Sequence, residues 1–202
     1  MKQSWKPGTM IYPLPAVLVS VGATEDEYNL FTVAWTGTVC TNPPMCYISV
    51  RKERHSYDII RRTGEFVINL TTEALAEATD WCGVRSGRNF DKFKECGLTP
   101  EKSAVVAAPS IAESPISIEC RVKQIIPLGS HDMFIGEVVN VAVDEHYIDA
   151  ETGKLDIAKM RLLAYAHGAY FTIGEQIGTF GWTVKGSKLR KEIKHGKNRS
   201  KK

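Results

Sequence analysis

Two stretches of this chain concentrate residues able to hold a phosphate and a flat heteroaromatic ring. Residues 29–51 read N-L-F-T-V-A-W-T-G-T-V-C-T-N-P-P-M-C-Y-I-S-V-R, and residues 80–93 read D-W-C-G-V-R-S-G-R-N-F-D-K-F. Arg51, Ser56, Ser86, Gly87 and Lys92 offer guanidinium, ammonium, hydroxyl and backbone donors, the groups that cradle a phosphate. Trp35, next to Thr36 and Gly37, offers an indole wall where a glycine lets the backbone approach a ring. Neither G-x-G-x-x-G nor G-x-x-x-x-G-K-[ST] occurs in the chain, which closes the dinucleotide-fold and Walker routes to phosphate binding. Taken one at a time, Trp35, Arg51 and Lys92 read first as a core indole and solvated charges.

Thr32, Thr36, Thr38, Ser49 and Asn69 are polar residues inside apolar runs and become informative only as a group. His131 and Asp132 read as a turn between two strands, from which the imidazole could donate a proton or orient a substrate. Cys40, Cys46, Cys82, Cys96 and Cys120 are odd in number, form no C-x-x-C pair and have no histidine at zinc-site spacing, so no metal is expected. Cys40, Cys46 and Cys120 read as small core hydrophobes, and nothing near Cys82 marks it as activated. Such cysteine usage fits a reduced, cytoplasmic protein.

The 202 residues, 43% of them apolar, suffice for one core. The formal charge of +3 is misleading, because nine of the 26 basic residues lie in positions 185–202 beside a single acid, Glu192. The rest of the chain is mildly acidic and lacks the positive face of a nucleic-acid domain. The apolar run at 16–23 is too short to span a bilayer, and the start does not resemble a signal peptide. One domain over residues 1–184 followed by a polar, basic, mobile tail is expected.

The elements that must position these residues are mostly strands. Runs at 16–21, 31–39, 46–51 and 65–70 read as strands, and 116–126 with 133–143 as an antiparallel pair around a Pro-Leu-Gly-Ser turn. Ser56 is expected to cap a short helix running to Arg62, and Thr72 and Glu73 to open a second one that Gly83 stops. Residues 84–115 read as mostly loop with a short helix near 91–96, a length usually reserved for function. The fold class is therefore mainly β with inserted helices, and short strands spaced by turns favour a closed antiparallel barrel over a doubly wound sheet.

The order of T-V-A-W, I-S-V-R followed by H-S-Y, E-F-V-I-N-L, the 80–93 segment and G-S-H-D-M-F-I-G-E resembles the flavin reductase-like family over most of residues 13–175. That resemblance implies an FMN-binding antiparallel split β-barrel working as a homodimer, with the flavin near the subunit interface. It places Thr32, Ala34, Trp35 and Thr36 along the isoalloxazine ring, with Ser49, Val50 and Arg51 continuing the wall toward the ribityl chain. Arg51 and Ser56 would approach the phosphate, and Ser86, Gly87 and Lys92 would close that end. Asn69 would either bond the flavin or hold the strand edge. His131 matches a histidine on the nicotinamide side. Where the family usually has an arginine in the H-S-Y segment this chain has His55, which removes one phosphate charge. The implied function is an FMN-dependent oxidoreductase taking electrons from NAD(P)H or a protein donor, with a flavoredoxin-like carrier that keeps its FMN favoured over a reductase that releases it. The alternative from another class is a non-enzymatic binding module whose basic tail engages nucleic acid or another polyanion.

Overall fold

The computed structural model describes residues 1–184; the basic tail at 185–202 lies outside the described residues. The described strands are β1 (Leu14–Pro15), β2 (Val17–Val21), β3 (Asn29–Val33), β4 (Thr36–Cys40), β5 (Met45–Arg51), β6 (Glu65–Asn69), β7 (Pro100–Glu101), β8 (Ser110–Ile111), β9 (Ile116–Pro127), β10 (His131–Val143), β11 (Leu163–Ala166) and β12 (Ala169–Thr172). The α-helices are α1 (His55–Thr63), α2 (Ala76–Val84), α3 (Lys92–Glu95) and α4 (Ile157–Met160). Seven strands form one antiparallel sheet in the order β3-β2-β6-β9-β10-β5-β4. Among the described residues no helix is long and apolar enough to cross a membrane.

The two edges of this sheet, β3 and β4, are consecutive in the chain and separated only by Ala34 and Trp35. In a flat sheet their edges would stand roughly 29 Å apart, at about 4.8 Å per strand, whereas that connection reaches at most about 11 Å. The sheet must therefore curl until its edges meet, which makes it a barrel split at Ala34–Trp35. The Ser49 N–H donates to the Trp35 carbonyl at 2.9 Å and ties the split back onto β5. Closure also covers edges that an open sheet would leave unpaired. A single strand over 31–39 was expected; the chain instead breaks at Ala34, and the break joins the two edges.

Alternation sorts the side chains between two packed regions. Val17, Val19, Val21, Phe31, Val33, Ile48, Val50, Phe66 and Phe134 fill the barrel, and Tyr57, Ile59 and Ile60 of α1 close one end of it. The outward residues Leu18 and Leu30 pack instead against Leu75, Cys82, Phe93 and Leu98 of the α2–α3 layer. Both faces of β2 are thus covered, which is why V-L-V-S-V shows no polar face. The second helix starts later than its sequence suggests, because residues 73–75 form a 3-10 turn, and it runs through Gly83. A Cβ on Gly83 would lie 3.3 Å from the Thr32 Cβ, so the glycine is kept by the close packing of α2 on β3 and not by helix termination.

Asn69 has no exposed surface. Its amide nitrogen donates to the Leu18 carbonyl and the Ser20 hydroxyl, and its oxygen accepts from the Ile111 N–H and the Ser117 hydroxyl. Of the two roles open to it, the structure gives Asn69 the second: it joins β2, β6, β8 and β9. The long 84–115 segment is pinned in a similar way, with the buried Glu119 carboxylate accepting from the N–H groups of Ala104, Val105 and Val106. Replacing Asn69 by Ala leaves several buried donors and acceptors unpaired, and urea unfolding should show a loss of about 2–4 kcal/mol. A loss below about 1 kcal/mol would contradict this assignment.

Candidate functional site

On the outer face of the barrel, at the split, two adjoining cavities share Phe31, Trp35, Arg51 and Arg54 and form one cleft. The larger, about 660 Å³, is the basic compartment; the smaller, about 260 Å³, is aromatic. Both lie within the size range of small-molecule sites or close below it.

The basic compartment takes residues from three places. Arg51 ends β5, Arg54 precedes α1, and Arg85, Ser86, Gly87 and Arg88 come from the segment joining α2 to α3, with Lys92 opening α3 after it. Among the described residues, none of Arg51, Arg54, Arg85, Arg88 or Lys92 has a carboxylate within ion-pair distance. Glu53 is the one acid in the lining of this compartment, and Glu25, Asp26 and Asp58 line an adjoining groove that meets it at Asn29, His55, Gly87 and Arg88. Lys92 is the most telling of the cations, being only 2% exposed with its Nζ donating to the Cys82 carbonyl at 2.8 Å. Burial, reinforced by the Arg54 charge, pulls the Lys92 ammonium down to about 8. A buried cation without a counter-charge is unfavourable unless something anionic completes it.

The first turn of α1 adds partial positive charge to the same compartment. Ser56 was expected as the N-cap; the helix in fact begins at His55, Arg54 is its N-cap residue, and no side chain caps it. The Ser56 hydroxyl lies inside the helix, buried, and accepts from the Asn29 amide at 2.7 Å. An uncapped N-terminus presents unsatisfied N–H groups and the positive end of the helix dipole, which favours an anion. Gly87 has a steric reason, since a Cβ there would lie 2.1 Å from the Asn29 Oδ1. His55, pulled down by burial and by the Arg88 and Lys92 charges, is neutral at pH 7.

The aromatic compartment is lined by Thr32, Ala34, Trp35, Ser49, Val50 and Arg51 from the barrel, by Asp80 and Gly83 of α2, and by Tyr165 and Tyr170 from the β11–β12 hairpin. His131 and Arg51 are directly paired across β10 and β5, and the imidazole lies 5.7 Å from the Trp35 ring centroid. The expected Pro-Leu-Gly-Ser turn is present, closed by the Leu128 N–H on the His131 carbonyl, and His131 and Asp132, expected in the turn, instead open β10. Burial and the Arg51 charge hold His131 below the usual imidazole range, so it too is neutral at pH 7. Asp132 points the other way, into the barrel, where its carboxylate accepts from the Tyr57 hydroxyl at 2.6 Å.

Of the residues expected at the site, the cleft brings together Thr32, Ala34, Trp35, Ser49, Val50, Arg51, Ser56, Ser86, Gly87, Lys92 and His131. Thr36 and Asn69 are outside it: the Thr36 hydroxyl donates to the Tyr47 carbonyl at 2.6 Å, and Asn69 is enclosed among strands. The Thr32 hydroxyl is likewise engaged, with the Thr79 carbonyl. Residues not anticipated are Arg54, Arg85 and Arg88, which restore the charge left out by His55, and the pair Tyr165 and Tyr170. The spacing R-K-E-R after β5 signals Arg54, and Y-A-H-G-A-Y, with His-Gly between alternating residues, signals the tyrosine hairpin.

The sequence profile described as "Flavin reductase like domain" matches residues 9–174. The structure is similar to the flavoredoxin of Desulfovibrio vulgaris (Miyazaki F), with a TM-score of 0.85 and 34% identity, covering 92% of this chain and 100% of that one. It is also similar to flavoredoxin from Methanosarcina acetivorans, with a TM-score of 0.81, 27% identity, and 91% and 99% of the two chains covered. Nitrilotriacetate monooxygenase component B from Bacillus cereus follows, with a TM-score of 0.75, 26% identity, and 84% and 88% covered. A split barrel whose edges meet at Trp35, a cleft of unpaired cations beside that edge and a family profile spanning both agree, and the chain belongs to the flavin reductase-like family.

Proposed function

We propose that this protein is an FMN-dependent oxidoreductase of the flavoredoxin type, which keeps its FMN and passes electrons from a reduced nicotinamide or protein donor to an acceptor. The observation that carries this reading is the junction, at the barrel split, of an aromatic compartment with a cluster of five cations that have no ion-pair partner among the described residues. Its donor set fits a phosphate joined to a flat ring. Arg51, Arg54, Lys92 and the first turn of α1 would hold the phosphate, while Ser86 and Gly87 would close over it. Trp35, Ala34, Ser49 and Val50 would form the wall for the ring. FMN, when bound, supplies hydride and single-electron chemistry, and the chain supplies position and electrostatics. His131, neutral and beside Trp35, would offer a hydrogen bond to a substrate. No side chain need act as a nucleophile. Several cations aimed at one phosphate favour retention of the cofactor over its release.

We also infer that a second copy of the chain covers part of this surface. Trp35 is 43% exposed at the cleft, and the terminal segments leave Ile11, Ile177 and Phe180 almost wholly exposed, an apolar load unusual for a monomer. Light scattering of the purified protein should give twice the chain mass.

The purified protein should be yellow, and anaerobic NADH or NADPH should bleach it if a nicotinamide is the donor. Colourless folded material that stays colourless after incubation with FMN would refute the reading, and oxidation of NAD(P)H proportional to added free FMN would exchange the carrier for a reductase. Arg51→Ala should weaken FMN binding about ten- to a hundredfold, through the loss of a charge-assisted contact, and more than His131→Ala does. Equal losses would contradict the separate roles.

Lys92 also sets a pH dependence. Below about pH 8 it is charged with or without ligand and contributes no slope. Above that the empty site has lost its proton, and binding an anion must recover one, so FMN affinity should fall by up to about tenfold per pH unit. Riboflavin, which lacks the phosphate, should show no such fall, and Lys92→Met should remove it from FMN. A fall of equal steepness for both ligands would show that Lys92 does not face the phosphate.

A further inference from the structure

Cys82 and Cys96 bracket the segment that closes the basic compartment, and Arg85, Ser86, Gly87, Arg88 and Lys92 all lie between them. Cys82 is fully buried near the end of α2, Cys96 follows α3 and is half-buried, and their Sγ atoms are 3.6 Å apart. A disulfide requires about 2.05 Å, and the two sulfurs already stand in van der Waals contact. Lys92 is bonded to both residues: its Nζ donates to the Cys82 carbonyl at 2.8 Å, and its own carbonyl accepts from the Cys96 N–H at 3.2 Å. Whatever fixes the two cysteines therefore fixes the cation at the floor of the compartment.

A second pair provides an internal contrast. Cys46 and Cys120 are 3.4 Å apart, closer still, but both lie in the barrel core away from any reagent. Cys96 instead lines an open surface groove of about 530 Å³ with Trp81, Glu95 and Leu98. Proximity is common to both pairs, and access belongs to one.

We propose that Cys82 and Cys96 form a redox-active dithiol that takes a low-molecular-weight disulfide as oxidant and, once joined, locks the segment between them around the cofactor phosphate. The second half rests on the reading of the basic compartment as the phosphate site. The Cys96 thiolate attacks one sulfur of the small disulfide, forming a mixed disulfide and releasing one small thiol. Cys82, giving up its proton, then attacks the Cys96 Sγ and releases the second. Two protein thiols are oxidised by two electrons, and one small disulfide is reduced to two thiols that carry away both protons. Burial pushes the Cys82 thiol up to about 12 and raises Cys96 as well, with the Lys92 charge opposing it at both sulfurs, so the pair rests protonated at neutral pH and reacts faster as pH rises.

The test uses the FMN-loaded full chain with Cys40→Ser, to remove the other half-exposed thiol, treated with oxidised glutathione at about pH 8.5 so that more of the thiol is ionised. Peptide mapping should find a Cys82–Cys96 crosslink and none between Cys46 and Cys120. Oxidation should slow FMN release after dilution by about threefold or more, because it removes freedom from the open segment. Tryptic cleavage after Arg85 and Arg88, which is read without reference to the flavin, should slow as well. Cys96→Ser and Cys96→Ala should show none of the three effects, and reduction should reverse all of them. No crosslink, a Cys46–Cys120 crosslink, or a Cys82–Cys96 crosslink that changes neither release nor cleavage would overturn the proposal. Crosslinking with slowed cleavage in a chain that takes up no FMN would uphold the dithiol and overturn the cofactor reading separately.

Discussion

The connection of two residues between the outermost strands governs this protein. Because β3 and β4 are the two edges of one seven-stranded sheet and only Ala34 and Trp35 lie between them, the sheet has to close. Closure seals the apolar alternation of β2, β3, β5, β6 and β10 inside, and it exposes the place where the ladder is interrupted. Trp35 projects there with 43% of its surface exposed, an unusual position for a tryptophan in a mainly β domain. The outward residues of β5, Ser49 and Arg51, and the first residue of β10, His131, stand beside it as a result of register. The cleft is thus a direct consequence of how the barrel closes.

The second feature is an imbalance of charge. Five cations on three separate segments converge on one compartment whose lining holds a single acid, Glu53, while Glu25, Asp26 and Asp58 line the adjoining groove. Lys92 shows what this costs: burial holds its ammonium well below its usual range. A ligand that binds the folded chain and completes this charge stabilises the fold by mass action, so cofactor retention and stability are linked. The helix that plugs the barrel adds to the same field at its uncapped first turn. Packing and binding therefore draw on one helix, with Tyr57, Ile59 and Ile60 facing the core and His55 and Ser56 facing the cleft.

Much of the strand content could be read from alternation and turn chemistry. The long pair β9 and β10, the strand ending at Arg51 and the short helix after Asp91 lie close to their expected places. The misplacements have physical causes. Residues 31–39 look like one strand because apolar and polar residues keep alternating across the break, and no local signal reports that the two halves pair with different neighbours. Ser56 has the composition of an N-cap, but the Asn29 amide, from a strand distant in sequence, holds it inside the helix. The Thr36 hydroxyl is a polar group in an apolar strand, as a ligand contact would be, yet it is satisfied within the fold, while Asn69 takes the structural one of its two expected roles.

By itself, then, the sequence determined the fold class, the absence of a glycine-rich nucleotide turn and the concentration of hydroxyl, cationic and indole side chains in the two segments around Trp35 and Ser86, because these depend on residue type and short spacing. Tertiary structure alone decided that Arg51 faces His131, that Arg54, Arg85 and Arg88 join one compartment, that Tyr165 and Tyr170 line the other, and that Cys82 meets Cys96. Each of those meetings is set by strand register and by the closure of the sheet, and a register shift of one residue would turn the same side chains to the opposite face.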